Sequence, residues 1–171
     1  MPTTSTTHTG LTPDCAHPAD PDLLNRLFTH GRTFSHWLPR PVDDALLMRA
    51  WNLCKLGPTS ANCQPLRILF VRTPNAKAQL KDCLAPGNVD KTLAAPVTAL
   101  FAADTRFYDH LPRLYPHADA RSWFAGNAKL IEVSAFRNGS LQGAYFMLAA
   151  RALGLDCGPM SGFDNVKVDE A

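Results

Sequence analysis

The sequence predicts one layered domain of strands mixed with helices, α+β or α/β, and three observations carry that prediction. Two short apolar runs, Arg67–Arg72 and Val97–Ala103, have the length and composition of strands. The stretch Lys129–Leu153 repeats its apolar residues at helical spacing. The chain has 171 residues, 46% of them hydrophobic, which is enough for one core and too little for two comfortable ones.

Each element follows from local chemistry. Met1–Ala19 is rich in Thr, Pro and Asp and lacks the basic start and apolar centre of a secretory signal. It reads as a disordered tail that buries too little apolar surface to offset its ordering entropy, leaving 20–171 as the domain. Asp20 caps a first helix, Pro21 to about His30, whose apolar face is Leu23, Leu24, Leu27 and Phe28. Gly31 ends it, and Arg32–Arg40 is a connection carrying His36 and Trp37. Asp43 caps a second helix, with Leu46, Leu47, Ala50, Trp51 and Cys54 at helical spacing, stopped by Gly57-Pro58.

Ile68, Leu69, Phe70 and Val71 make the first strand, read as buried. Asn75–Leu84 is helical. Thr105–Asn127 mixes aromatics with Pro112, Pro116 and charged residues, and its irregularity marks it as a candidate lid or substrate loop. In Lys129–Leu153 the second half, from Gly143, is apolar nearly all round, as in a helix buried in a core or an interface. Gly154 suits its C-terminal cap. Asp164 can open another helix just before the sequence stops at Ala171. With only two convincing strands, the domain reads as one whose C-terminal part is missing.

Composition narrows the function. The 17 basic and 15 acidic residues are scattered and give a net charge of +2, so no nucleic-acid stripe is expected. No apolar run reaches membrane-spanning length, so no membrane partner is expected. The five cysteines, Cys15, Cys54, Cys63, Cys83 and Cys157, form no Cys-x-x-Cys pair. That argues against a disulfide framework or a metal site and for the reduced thiols of a cytoplasmic protein. A thiol or metal enzyme built on Cys63 or Cys157 with one of the six His is a remote alternative, because no catalytic spacing accompanies them.

Four segments carry candidate chemistry. They are Gly31-Arg32-Thr33-Phe34-Ser35-His36-Trp37, Gly57-Pro58-Thr59-Ser60-Ala61-Asn62-Cys63-Gln64-Pro65, Asn88-Val89-Asp90-Lys91, and Gly158-Pro159-Met160-Ser161-Gly162-Phe163-Asp164. Singly, each reads as a turn or a solvated surface, since Gly, Pro, Ser and Asn favour turns for local reasons. Together and in this order, they resemble the FMN-dependent nitroreductase family. Lys55–Cys63, Gly126–Asp164 and the aromatic stretch Arg113–Phe124 look closer still to that family's malonic semialdehyde reductase branch, which acts in bacterial uracil breakdown. The resemblance covers roughly Leu23 to Ala171.

The resemblance implies an α+β nitroreductase fold, with a central mixed or antiparallel sheet flanked by helices, in a domain-swapped-type homodimer. It implies a cytoplasmic oxidoreductase that uses FMN as cofactor and NADPH or NADH as co-substrate to reduce a small molecule. That substrate would be malonic semialdehyde, reduced to 3-hydroxypropionate in pyrimidine breakdown. The alternatives are a general nitroaromatic, quinone or enone reductase, or a truncated, non-catalytic dimeric binding module.

The implied site has no side-chain nucleophile, because the flavin carries the chemistry. Arg32, with Thr33 and Phe34, would meet the phosphate or ribityl side. His36, Asn88 and Lys91 would address the pyrimidine edge. Pro159, Met160, Ser161 and Gly162 would lie along one flavin face, with a backbone N–H aimed at N5. Pro58, Thr59, Ser60 and Asn62 would reach the flavin from the partner subunit. Arg121 and Arg113, among aromatics in the irregular stretch, are candidates for a substrate carboxylate. Phe34 departs from the Ser often found there, and His36 from a Lys or Arg.

Overall fold

The structure, a computed structural model, describes residues 18–171. The Thr-rich tail apart from Pro18 and Ala19, and Cys15 with it, lies outside the described residues. Asp20 caps α1, Pro21–Leu24, its carboxylate accepting from the Asp22 N–H at 2.7 Å. The helix continues as a wider π-turn through Asn25–Thr29, so the expected first helix is present in two geometries. α2 spans Asp44–Cys54 after Asp43, which occupies the cap position without a side-chain bond.

β1, Leu66–Val71, pairs antiparallel with β2, Thr98–Ala103, in the register Leu66 opposite Ala103 and Val71 opposite Thr98. Residues along a strand alternate between faces. Leu66, Ile68 and Phe70 accordingly turn toward Ala50 and Cys54 of α2 and Phe146 and Ala149 of the long helix α7, Ala128–Ala152. The other face is open at Leu69, 63% exposed, and closes only at its end, where Val71 is buried. The expectation of a fully buried strand is therefore corrected. With two strands among the described residues and α2 and α7 against one face, β1 is half-buried, which is the pattern of an antiparallel sheet.

α7 organises the domain. Asn127 caps its start, accepting from the Leu130 N–H at 3.1 Å. Its end closes as a Schellman turn: Gly154 takes φ +86°, and the N–H groups of Gly154 and Leu155 donate to Arg151 O and Ala150 O. Glycine is the residue that reaches this φ without a Cβ penalty. Gly143 lets β2 lie close, since a Cβ there would meet the Phe101 ring at 3.1 Å.

Between the strands lie α3, Pro74–Lys81, and α4, Pro86–Ala94. α3 matches the expected Asn75–Leu84 helix, ending three residues earlier. α4 is not expected from the sequence, because Pro86-Gly87 reads as a turn and only Thr92 of this helix is buried. Lys77 of α3 is buried and donates to Leu93 O at 3.2 Å and to Ala95 O, satisfying carbonyls at the end of α4. Burial pushes its ammonium pKa down.

The stretch 105–127 is a second correction. It folds as a short 3₁₀ turn, Phe107–His110, then α5, Leu111–Leu114, and α6, Arg121–Phe124. Phe107, Leu111, Ala120 and Phe124 bury themselves with Cys63 and Ala135 as a core cluster. Phe107 and Phe124 meet edge to face at 4.9 Å. Phe107 and Phe124, two of the aromatics that suggested a lid, are core side chains of a packed corner, while Trp123 stays half exposed. Finally α8, Asn165–Glu170, begins as expected at Asp164, whose carboxylate accepts from Val166 and Lys167 N–H.

Candidate functional site

Three of the four sequence segments converge. The Phe34 N–H donates to Cys157 O at 3.2 Å, tying the first segment to the fourth. The Trp37 indole N–H donates to Lys91 O at 2.8 Å, tying the first to α4. The Asn88 amide donates to Gly162 O at 2.8 Å, and the Ala85 N–H to the same oxygen at 2.9 Å. Leu84 and Phe163 form an antiparallel bridge, extended by the Asp164 N–H to Cys83 O at 2.8 Å. Arg151, from the last turn of α7, donates to Leu27 O and Arg32 O at 2.9 and 3.3 Å and anchors the junction to the core.

Close approach dictates the glycines here. A Cβ on Gly158 would enter the van der Waals shell of Phe34 O and meet the Trp37 ring at 2.9 Å. A Cβ on Gly162 would collide with the Asn88 amide nitrogen. The backbone of 158–162 therefore lies directly on the first segment and on α4.

The polar side chains of this junction remain available. Arg32 is exposed and, among the described residues, its side chain donates to Thr29 O and Gly31 O alone, at 2.7 and 2.8 Å. Among the described residues neither Arg32 nor Lys91 pairs with a carboxylate. Thr33, His36, Pro159 and Ser161 are exposed, while Phe34, Asn88, Lys91, Met160 and Gly162 are partly buried. The edge thus offers cations and neutral donors without a competing internal anion.

The second segment sits elsewhere in the same chain. Pro58 O accepts from the Tyr145 hydroxyl at 3.0 Å, and Asn62 donates to Leu114 O at 2.9 Å. Among the described residues, no hydrogen bond joins it to the other three segments. Thr59 accepts from the Gln64 N–H at 3.3 Å, and Ser60–Asn62 is a single 3₁₀ turn.

The two candidate arginines differ. Arg121 donates to Asp109 at 3.1 Å and stands 5.7 Å over the Tyr108 ring, so it already has a carboxylate and an aromatic face. Arg113 is exposed and has no ion pair among the described residues. Hydrogen bonding from Arg106, then from Arg121, holds the Asp109 carboxyl below its ordinary range. A lowered folded-state value makes this cluster stabilising above the unfolded carboxyl range, a contribution lost as pH falls through the folded value. Asp109→Asn is expected to melt below wild type at pH 7, with the gap closing below about pH 4 in a melting series. A gap that persists unchanged to lower pH would disprove the contribution.

Burial makes three of the described thiols poor nucleophiles. Cys54 is buried, and desolvation raises its pKa to about 11; burial also raises Cys63 and Cys157. Among the described residues no three His, Cys, Asp or Glu side chains gather as a metal site, and no helix is long and apolar enough to cross a membrane.

Residues 32–171 match the nitroreductase family. The chain belongs to that family. A Burkholderia lata protein named for NADH dehydrogenase and NAD(P)H nitroreductase is 64% identical over 148 residues, covering 86% of this chain and 76% of the relative. The Bacillus subtilis nitroreductase ydfN superposes with a TM-score of 0.77 at 25% identity, over 86% of this chain and 79% of that one. A nitroreductase from Exiguobacterium sibiricum, crystallised with FMN, shares the fold with a TM-score of 0.76 at 19% identity, over 88% and 80%. The nitroreductase fold expected from the sequence is thereby established, with its sheet antiparallel and two-stranded among the described residues.

Sequence reasoning missed two functional-looking side chains, Asn138 and Gln142 of α7. Both are buried: Asn138 accepts from the Ser60 N–H of the second segment and Gln142 from the Leu66 N–H of β1, at 2.9 Å each, while the Gln142 amide donates to the Gln64 side chain. The available signal was their position: polar amides four residues apart in the buried row Ala135, Phe146, Ala149.

Proposed function

We propose that this chain is an FMN-dependent NAD(P)H oxidoreductase whose junction of residues 31–37, 88–91 and 158–162 holds the flavin. The convergence of three segments far apart in sequence carries this reading. An FMN-sized ligand needs fixed cations for its phosphate and donors for its pyrimidine oxygens, and the residues present fit both needs. Arg32 presents a guanidinium fork with no carboxylate on it among the described residues. Asn88 and Lys91 stand one helical turn apart, and Met160–Gly162 supply backbone against them. When bound, FMN supplies hydride transfer between a nicotinamide and the substrate.

Pro58, Thr59, Ser60 and Asn62 act on the partner subunit's site in a homodimer. Their distance in bonding from the junction supports that, as do Phe136, 73% exposed, and half-exposed Leu130, Val133 and Leu141 on α7. The substrate is a small carboxylated aldehyde, malonic semialdehyde first, on the strength of the resemblance over 113–124. Asn62 bonds Leu114, which sets Arg113 beside the same segment, so Arg113 rather than Asp109-bound Arg121 receives the carboxylate. The name of the Burkholderia lata relative favours a second reading, a nitroaromatic reductase.

The deciding experiment loads purified protein with FMN, bleaches it anaerobically with NADPH or NADH, and adds acceptors in turn. Faster return of colour with malonic semialdehyde than with a nitroaromatic, a quinone or an enone supports the first reading. The reverse order supports the second, and a protein that binds no flavin overturns both.

A further inference from the structure

The second segment is held in a conformation its own residues do not favour. Ala61, Asn62 and Gln64 take φ of 49°, 50° and 46°. Asn tolerates the left-handed region, but for Ala61 and Gln64 it costs about 1–2 kcal/mol each, so an agent beyond the residues' own preferences helps to hold it.

That agent is one row of α7. Asn138, Gln142 and Tyr145, at i, i+4 and i+7, share a face of the helix. The Asn138 side-chain oxygen accepts from the Ser60 N–H at 2.9 Å, while its amide donates to Ser134 O at 2.8 Å. Gln142, with no exposed surface, accepts from the Leu66 N–H and donates to the Gln64 side chain. The Tyr145 hydroxyl donates to Pro58 O, and its ring fills the space a Cβ on Gly57 would take. The segment is thus clamped at its start, middle and end.

The geometry points to Asn138, Gln142 and Tyr145 as positioning residues that preset the Pro58–Gln64 loop for the flavin, an inference that rests on the flavin reading above. None of the three need touch the cofactor. They act through Pro58, Ser60 and Gln64, and across the subunit boundary. A loop already fixed in its binding shape loses less freedom when the ligand arrives, so the row is expected to set FMN affinity.

The test measures FMN dissociation constants by flavin fluorescence quenching, with melting of the cofactor-free protein alongside. Tyr145→Phe removes one exposed donor and keeps the ring. It is expected to weaken FMN about threefold with an unchanged melting point. Gln142→Leu leaves the buried Leu66 N–H without its acceptor and is expected to weaken FMN about tenfold or more. Asn138→Asp keeps the acceptor for Ser60 and is expected to bind several times more tightly than Asn138→Leu. In mixed dimers of Gln142→Leu and Arg32→Ala chains, one site draws its loop and its junction from undamaged halves. Half of the sites should then recover wild-type affinity.

If Gln142→Leu fails to fold, Tyr145→Phe and the Asn138 pair decide the matter. Wild-type affinity in Tyr145→Phe and in folded Asn138→Leu overturns the positioning role. Mixed dimers without recovery overturn its action across subunits. Wild-type protein that binds no FMN overturns the flavin reading itself.

Discussion

Gly158→Ala is expected to lower the melting temperature by roughly 6–12 °C and to abolish measurable flavin binding. The added methyl would fall within the shell of Phe34 O and against the Trp37 ring. Neither neighbour can yield cheaply. Phe34 is paired through its N–H with Cys157 O, and Trp37 is fixed through its indole N–H to Lys91 O. Overpacking of this kind costs about 1–3 kcal/mol, and a backbone collision lies at the upper end. A domain of this size loses about 2–4 °C for each kcal/mol. The strain falls on the joint between the first and fourth segments, so cofactor affinity should fall further than stability does. Gly87→Ala is the matched control. A Cβ there meets nothing within 4 Å, and its melting point should stay at or slightly above wild type. Differential scanning calorimetry and FMN titration of both variants check the pair, and a Gly158→Ala protein that melts and binds like wild type would disprove the close-packed joint.

What the sequence makes legible is what local chemistry decides. Asp20 and Asp164 cap helices because a carboxylate near exposed N–H groups has one obvious use. Gly154 closes α7 for an equally local reason. The site motifs were legible as an ordered set, and three of the four meet through backbone bonds that no single motif specifies. The losses are long-range. α4 hides behind Pro86-Gly87 because its support comes from Lys77, on another helix, donating into its last carbonyls. Phe107, Leu111 and Phe124 pass for a lid when their spacing is irregular. Their partners, Cys63 and Ala135, lie over ten residues away. Asn138 and Gln142 belong to no motif, and their use shows only once the strained segment they satisfy is in view. A buried amide is tolerated only where every donor and acceptor finds a partner, and here Ser60 and Gln64 of the second segment supply half of those partners.

The double variant Arg32→Ala, Lys91→Ala is expected to bind FMN at least a hundredfold more weakly while folding as wild type does. Arg32 leans on two carbonyls, Thr29 O and Gly31 O, just before it in the chain and on no carboxylate among the described residues. Its removal therefore exposes no unpaired anion, and stability should move by no more than about 0.5 kcal/mol. Lys91 contributes to the fold through its backbone oxygen, the acceptor for Trp37, which alanine retains. Both charges are thus spare for folding and placed where three segments meet. A hydrogen bond to a charged group is worth about 1.5–3 kcal/mol, and each 1.4 kcal/mol is tenfold in affinity. Two such losses therefore reach the hundredfold mark even at the lower figure. Arg32→Lys should recover only part of the affinity, because an ammonium keeps the charge and loses the planar fork that suits a phosphate. Raising the salt concentration should weaken wild-type binding more steeply than that of the double variant, since the variant has fewer charges left to screen. Fluorescence titration with FMN at two salt concentrations, beside a melting curve, reads all of this. Double-variant affinity within twofold of wild type would place the phosphate elsewhere and leave the junction a structural joint.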